Sequence, residues 1–364
     1  MNRYEKYMSK ALKLAQKGLG RTSPNPAVGA VIVKDDRIIG EGYHSKAGKP
    51  HAEIVAINNA KDAGYSLKGA EIFITLEPCC HYGKTPPCTQ AIIENNFKRV
   101  VYAIDDPNPL VGGKSMEILE KAGIEVVNNV LADEARWLLS HFRTCMEHCR
   151  AFIAVKYASS LDGRIATKTG DSKWISSSKS RDFVHSLRNR YDAIAIGANT
   201  LRNDNPRLTV RRAEGRNPVR IVIVGKRKIQ SDYTLFNDKK ARTIVATFHK
   251  NPFRDSNVPE DIELWHLSEK LNGVSILELA QKAYQNKLSS ILIEGGGDII
   301  TSALDERVVD RLYLVFAPKI IGAGIEAIGD IGIRDIKSSI DIKIREQKQS
   351  GGDIIIIGTP VYES

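Results

Sequence analysis

The chain has 364 residues, too many for one ordinary core, so about two domains are expected, each with an interior of its own. The formal net charge is +10, from 53 basic and 43 acidic residues; the basic residues are spread out, and no RNA-binding or helix-turn-helix pattern accompanies them. No apolar leader follows Met1, nothing approaches the ~18 apolar residues of a membrane span, and five cysteines without a secretory signal argue against a disulfide framework, so a cytoplasmic protein with metal-bound or buried thiols is expected.

In chain order, helical spacing from Met1 to Gly18 is followed by a strand over Val28 to Val33, a turn at Lys34-Asp35-Asp36 and a returning strand over Arg37 to Tyr43. His51 opens a helix through Ala63, Glu71 to Leu76 reads as a strand, Pro87 to Phe97 as a helix, and Arg99 to Ile104 as a strand. One more helix follows Gly112-Gly113-Lys114, then a strand at Ile124 to Val127 and a helix from Asp133 to about Cys149. The boundary is placed near Arg150, giving domains 1–148 and 149–364. Alternation then restarts, with strands from Phe152, Tyr191, Val219, Thr243, Ser290, Arg311 and Asp353, and helices from Lys179, Ser275 and after Gly295-Gly296-Gly297. That rhythm predicts an α/β domain with a largely parallel sheet and a mixed edge.

Chemistry concentrates at His51-Ala52-Glu53, Pro78-Cys79 and Cys88. One imidazole and two thiolates make a three-ligand zinc site with the fourth position open for a water, and a nearby carboxylate that is not a ligand can move that water's proton. Both segments lie where a helix begins, and the positive helix ends help hold the cysteines as thiolates. The pattern predicts hydrolytic deamination of a ring, with Glu53 as acid-base. A deaminase signature ordinarily closes with Pro-Cys-x-x-Cys, whereas here Cys80-His81-Tyr82-Gly83-Lys84-Thr85-Pro86-Pro87 separates the two cysteines. That insert is polar and basic, as suits a loop reaching a phosphate. Cys80 and His81 are competing ligands, and a structural zinc is the plainer alternative. His141, Cys145, His148 and Cys149 share one helical face; their apolar neighbours favour a packed interdomain helix over a second metal.

His51-Ala52-Glu53 and Glu77-Pro78-Cys79 to Lys84-Thr85-Pro86-Pro87-Cys88, with Ser23-Pro24-Asn25-Pro26, Val28-Gly29-Ala30, Gly42-x-His44, Asp106-Pro107-Asn108-Pro109, Ser160-Leu161-Asp162-Gly163, Thr200, Asp204-Asn205-Pro206 and Glu294-Gly295-Gly296, resemble the bifunctional deaminase-reductases of riboflavin biosynthesis over nearly the whole chain. The resemblance implies a cytidine-deaminase-like N-terminal domain of α/β/α form with a mixed sheet, and a dihydrofolate-reductase-like α/β C-terminal domain. It implies deamination of 2,5-diamino-6-(5-phosphoribosylamino)pyrimidin-4-one, followed by NADPH reduction of the ribosyl group to ribityl. It places the deaminase substrate on Asn25, His44, His81, Lys84, Asp106 and Asn108. It places NADPH on Ala158, Trp174, Thr200 and Asp204, with its phosphates on Gly296, Gly297 and the residues through Ser302, and the reductase substrate on Lys156, Ser172, Arg188, Arg207, Arg211 and Glu294. Cys80 and Tyr82 stand where relatives more often have Ser and His.

From the residues alone the second site is softer. Glu294-Gly295-Gly296-Gly297 follows a strand and opens a helix, so its amides can hold a dinucleotide phosphate, although the full G-x-G-x-x-G fingerprint is missing. Among the substrate residues that the resemblance implies, Lys156 and Glu294 are the candidates near the reacting sugar carbon; Lys226 to Lys228, after a strand, are the candidates for the NADPH 2'-phosphate. The partners expected are a phosphorylated pyrimidine and a homo-oligomer (dimer or tetramer), with neither nucleic acid nor membrane. The rival readings are a nucleic-acid base deaminase with a C-terminal nucleotide- or RNA-binding domain, and a zinc-stabilised nucleotide-sensing module.

Overall fold

The computed structural model describes residues 1–82, 86–108, 111–211, 215–255, 258–270 and 273–362. Two compact units divide the chain at Met1–Cys149 and Arg150–Ser364. Among the described residues no helix is long and apolar enough to cross a membrane.

The first unit runs α1 (Arg3–Ala15), β1 (Gly29–Lys34), β2 (Arg37–Tyr43), α2 (Ala52–Asp62), β3 (Glu71–Ile74), α3 (Cys88–Glu94), β4 (Arg99–Tyr102), α4 (Lys114–Lys121), β5 (Glu125–Val127), α5 (Ala132–Leu138) and α6 (Ser140–His148). Its sheet is ordered β2-β1-β3-β4-β5, antiparallel across β2, β1 and β3 and parallel from β3 to β5, the mixed sheet expected. Glycines bring α2 onto the hairpin. A Cβ at Gly42 would stand 2.4 Å from the Ala52 carbonyl oxygen, and one at Gly40 2.5 Å from that of Ala56. Only backbone fits there, so the helix carrying Glu53 lies directly on β2.

The second unit contains β6 (Phe152–Ser160), β7 (Arg164–Thr167), α7 (Ser178–Arg190), β8 (Ala193–Gly197), α8 (Ala198–Asp204), β9 (Val219–Val224), α9 (Thr234–Asn237), β10 (Thr243–Thr247), β11 (Ile262–His266), β12 (Glu269–Lys270), β13 (Gly273–Val274), α10 (Ile276–Gln285), β14 (Ser290–Glu294), α11 (Gly297–Asp305), β15 (Arg311–Ala317), β16 (Gly324–Glu326), β17 (Asp341–Ser350) and β18 (Asp353–Val361). The main sheet is ordered β11-β10-β9-β8-β14-β6-β15-β18-β17, parallel through β15 and antiparallel at β18 and β17. Both faces are covered. Ile221 and Ile223 join a core with Leu279, Ala283 and Ile300, while Val222 and Val224 join another with Leu201, Phe236 and Phe253. A strand buried on both sides reads as an unbroken apolar run, which is why Val219 to Val224 was visible in sequence.

Several features differ from the expected elements. The helix predicted from Asp133 to Cys149 breaks at Leu139, next to Ser140, whose Oγ donates to the Trp137 carbonyl (3.0 Å). Such local side-chain bonding competes with helix continuation. The sequence reading also omitted β7, α8, α9, β11, β12, β13, β16 and β17. Of these, β11 and β17 are the edges of the main sheet; in β17 the short alternation Ile342-Lys343-Ile344 gives way to polar residues, and most of its ten side chains are exposed.

Candidate functional site

In the first unit, His51 is the N-cap residue of α2, and Cys88 is the first residue of α3. The chain segment after β3 brings Cys79 between them. His51 Nδ1 lies 3.3 Å from Cys88 Sγ and 3.6 Å from Cys79 Sγ, and the three donor atoms lie within 4.8 Å of one another. Two donors on one tetrahedral zinc stand roughly 3.5 to 3.8 Å apart given ordinary Zn–N and Zn–S bonds, so the set fits that ion. Among the described residues no other group of this kind occurs; Cys80, His81 and the α6 residues His141, Cys145 and His148 form none.

The electrostatics suit a cation. A hydrogen bond from the Cys88 thiol, with His51 beside it, holds the Cys79 thiol down at about 4, while the Cys79 contact and burial push the Cys88 thiol up. His51 is raised to about 9, chiefly by its hydrogen bond with Cys79. A dication would take both thiolates and a neutral imidazole. Glu53, in the first turn of α2, is only 4% exposed, and its carboxyl is raised, first by burial and then by the Cys79 charge. A carboxyl so placed can take up a proton and release it again.

The expected pyrimidine-binding residues assemble unequally. His44 is buried, and its Nδ1–H donates to the Pro50 carbonyl (3.0 Å), so its Nε2 accepts from the Asn25 amide (3.2 Å). Burial lowers its pKa, consistent with that neutral form. Its ring stands edge-on to His51, with centroids 5.6 Å apart. His44 thus spends both nitrogens on the protein and fixes which way Asn25 points. Asp106 is half-buried and accepts from the Asn108 N–H (2.8 Å). Burial pushes its carboxyl up to about 6. His81 is exposed, and Lys84 lies outside the described residues. Glu77, which the sequence reading left without a role, is 3% exposed and accepts from the backbone N–H groups of Asp106, Gly113 and Ser115 (3.0, 2.9 and 3.0 Å).

In the second unit the candidates gather at the carboxyl ends of the central parallel strands. Lys156 and Glu294 are register partners on β6 and β14. Arg188, near the end of α7, grips Glu294 with both prongs of its guanidinium (2.8 and 2.7 Å). Burial alone would push the Glu294 carboxyl up, but Arg188 brings it below its ordinary value; burial lowers the Lys156 ammonium. Arg211 is lowered by burial and by the charges of Arg188 and Arg207, which places the three arginines in one neighbourhood. His185, one turn before Arg188 and also absent from the expected set, is buried and accepts from the Arg211 N–H (3.3 Å). It became visible only through the fold.

The glycine run ends β14 and opens α11. Gly295 and Gly296 sit at φ +70° and +83°, and a Cβ at Gly296 would stand 3.2 Å from Thr200 Oγ1. Thr200 and the glycine turn therefore face each other across the start of α11. The hydroxyls of Thr301 and Ser302 bond back to the carbonyls of Gly297 and Asp298. The first-turn N–H groups of a helix have no intrahelical acceptor, which leaves those of α11 to an external one. Asp204 pairs with Lys173 (3.6 Å), which ties the segment holding Ser172 and Trp174 to α8. Trp174 is 65% exposed, with the Arg181 guanidinium 4.4 Å from its ring centre. Ala158 lies two residues beyond Lys156 on β6, on the same face.

Comparisons with known proteins cover both units. Residues 1–104 match the family described as the cytidine and deoxycytidylate deaminase zinc-binding region, and residues 151–356 match the RibD C-terminal domain. The riboflavin biosynthesis protein RibD of Aquifex aeolicus is 42% identical over 351 residues, 96% of each chain. That of Escherichia coli is 35% identical over 367 residues, 97% of this chain and 98% of its own. A crystal structure from Thermotoga maritima, described as a diaminohydroxyphosphoribosylaminopyrimidine deaminase and 5-amino-6-(5-phosphoribosylamino)uracil reductase, superposes with TM-score 0.89 at 40% identity over 99% of both chains. Acinetobacter baumannii RibD superposes with TM-score 0.84 at 32% identity, again over 99% of both. These matches do not favour a nucleic-acid base deaminase. The chain belongs to the RibD family of riboflavin biosynthesis proteins and joins a zinc-dependent deaminase to an NADPH-dependent reductase.

Proposed function

We propose that the first unit hydrolyses the 2-amino group of 2,5-diamino-6-(5-phosphoribosylamino)pyrimidin-4(3H)-one to give 5-amino-6-(5-phosphoribosylamino)uracil and ammonia, and that the second unit reduces the ribosyl group of that product to ribityl. The observation that carries the reading is the nitrogen-sulfur-sulfur cluster of His51, Cys79 and Cys88 beside a buried Glu53. Zinc held by these three residues supplies a water activated near neutral pH. Glu53 takes the attacking water's proton and delivers it to the departing ammonia. Asn25, oriented by His44, and Asp106 with Asn108 meet the pyrimidine edge and its sugar, while His81 and Lys84 meet the phosphate.

In the reductase, Arg188, which grips Glu294, serves the sugar phosphate together with Arg207, Arg211 and Ser172. NADPH supplies the hydride. Ala158, Trp174, Thr200 and Asp204 hold the cofactor, with its phosphates at Gly296 and Gly297 on the first-turn amides of α11. The hydride goes to the sugar carbon, and Lys156, its ammonium depressed by burial, donates a proton to the sugar oxygen that becomes a hydroxyl, with Glu294 orienting it. The domain limits 1–148 and 149–364, a cytoplasmic location, assembly as a dimer or tetramer, and the absence of a nucleic-acid partner complete the reading.

The test is to incubate the purified chain with the diaminopyrimidine ribosyl phosphate, with and without NADPH, and to follow ammonia and NADPH absorbance separately. Ammonia release without NADPH, and NADPH oxidation only after it, is the expected result. NADPH oxidation without prior ammonia release, or neither signal, overturns the assignment. Sedimentation of the same preparation reads the assembly.

A further inference from the structure

The geometry points to Glu77 as a positioning residue of the deaminase site, one that holds the Asp106–Asn108 segment in place against the metal-binding turn. The inference rests on the deaminase reading above and assigns to that site a residue outside its ligand and substrate sets.

Glu77 lies two residues before Cys79, and its own N–H donates to the Ile104 carbonyl (2.9 Å), so its backbone is already paired at the end of the sheet. Its side chain is buried, yet its partners among the described residues are backbone N–H groups. Oε2 accepts from Asp106 (3.0 Å) and Gly113 (2.9 Å), and Oε1 from Ser115 (3.0 Å). A fourth tie runs the other way, since Ser115 Oγ donates to the Pro78 carbonyl (2.6 Å).

Two consequences follow. Gly113 caps α4 but has no side chain to accept the helix's first N–H groups, and the Glu77 carboxylate takes that place from a distant part of the sequence. Helix starts carry unsatisfied N–H groups and a partial positive charge, so an anionic acceptor belongs there. In addition, the residue bonded at Asp106 is the one whose carboxylate holds the Asn108 N–H. One carboxylate therefore fixes the entry to α4 and the loop meant for the pyrimidine, while the next two residues, Pro78 and Cys79, fix a metal ligand. A three-acceptor carboxylate satisfies this arrangement where an amide cannot. Glutamine keeps one oxygen and turns N–H groups toward N–H donors, which leaves at least one buried donor unmatched.

The experiment uses the full chain loaded with zinc, as wild type, Glu77→Gln and Ser115→Ala. Zinc content, deaminase KM and kcat, reductase activity on the deaminated intermediate, and hydrogen exchange of the segment from Asp106 to Ser115 are measured in parallel. Glu77→Gln is expected to keep one zinc per chain and its reductase activity. It should raise deaminase KM by about tenfold, the effect of roughly one lost hydrogen bond, with kcat within about twofold, and should speed exchange in that segment. Ser115→Ala, which removes only the tie to Pro78, is expected to show the same pattern more weakly. Unchanged exchange in Glu77→Gln, or unchanged KM, overturns the proposal. So does loss of zinc together with kcat, which would make Glu77 a support of the metal turn alone. If Glu77→Gln fails to fold, Ser115→Ala decides by the same criteria. A wild-type chain that releases no ammonia counts against the deaminase reading instead, and the exchange measurement still judges the role of Glu77 independently.

Discussion

The two sites are built on opposite plans. The deaminase cluster draws its donors from two helix starts and the turn between them, and its three donor atoms lie within 4.8 Å. The reductase site draws Lys156, Arg188 and Glu294 from two neighbouring strands and a helix, and the ion pair at its centre joins residues 106 positions apart. The first arrangement concentrates charge that a metal must balance. The second balances itself, with a guanidinium and a carboxylate neutralising each other under burial. Loss of a metal would leave the first cluster with thiolate charge to be balanced by protons, whereas removing a single partner of the second leaves a buried charge stranded.

The sharpest way to break this comparison is Arg188→Ala. Both partners are about nine-tenths covered, with side chains 12% and 10% exposed. Removing the cation leaves Glu294 buried and unpaired, at a cost of about 3–5 kcal/mol in stability of the second unit. Thermal unfolding should show that loss, and reductase kcat/KM should fall by about a hundredfold or more, with ammonia release unchanged. A variant of ordinary stability would mean that the pair is not self-balancing.

A smaller effect is expected in the first unit from pH. Burial pushes the Asp106 carboxyl up to about 6, so it is ionised above that pH and neutral below it. If its anionic form serves the substrate, deaminase kcat/KM falls as pH drops through about 6, by roughly tenfold one unit below. Asp106→Asn should remove that limb of the pH profile, and a limb that survives the substitution belongs to another group.

The smallest effect concerns cofactor choice. Lys226, Arg227 and Lys228 are exposed on the loop after β9, whose Arg227 and Lys228 carbonyls accept from Arg202 (2.7 and 3.3 Å). Changing Lys226 and Arg227 together to alanine should reduce the preference for NADPH over NADH by roughly fivefold, about 1 kcal/mol, in a binding titration of both cofactors. An unaltered preference places the 2'-phosphate elsewhere.

The same contrast explains what was legible in the sequence. His51, Glu53, Cys79 and Cys88 declare their chemistry by residue type and spacing, and all but Cys79 lie at helix starts, so the cluster could be assembled from residues alone. Lys156, Arg188 and Glu294 carry no such signature, because charged residues on separate elements become a site only when the sheet order places β14 beside β6. Resemblance supplied them; spacing did not. Glu77 and His185 show a further limit, since each acts through backbone N–H groups that no side-chain pattern announces. The fold was legible where strands are buried on both faces, as at Val219 to Val224 and Thr243 to Thr247. It was not legible at the edge strands β11 and β17, nor at the break beside Ser140, where local bonding overrides helical periodicity.

The central claim is that one chain holds two chemically independent sites, and Glu53→Gln tests it most directly. The substitution preserves size, leaves His51, Cys79 and Cys88 in place and removes the group assigned to move the proton. Ammonia release should fall by a factor of about 10² to 10⁴ while zinc content and NADPH-dependent reduction of the deaminated intermediate match wild type. Loss of both activities together, or ammonia release at the wild-type rate, would contradict the account.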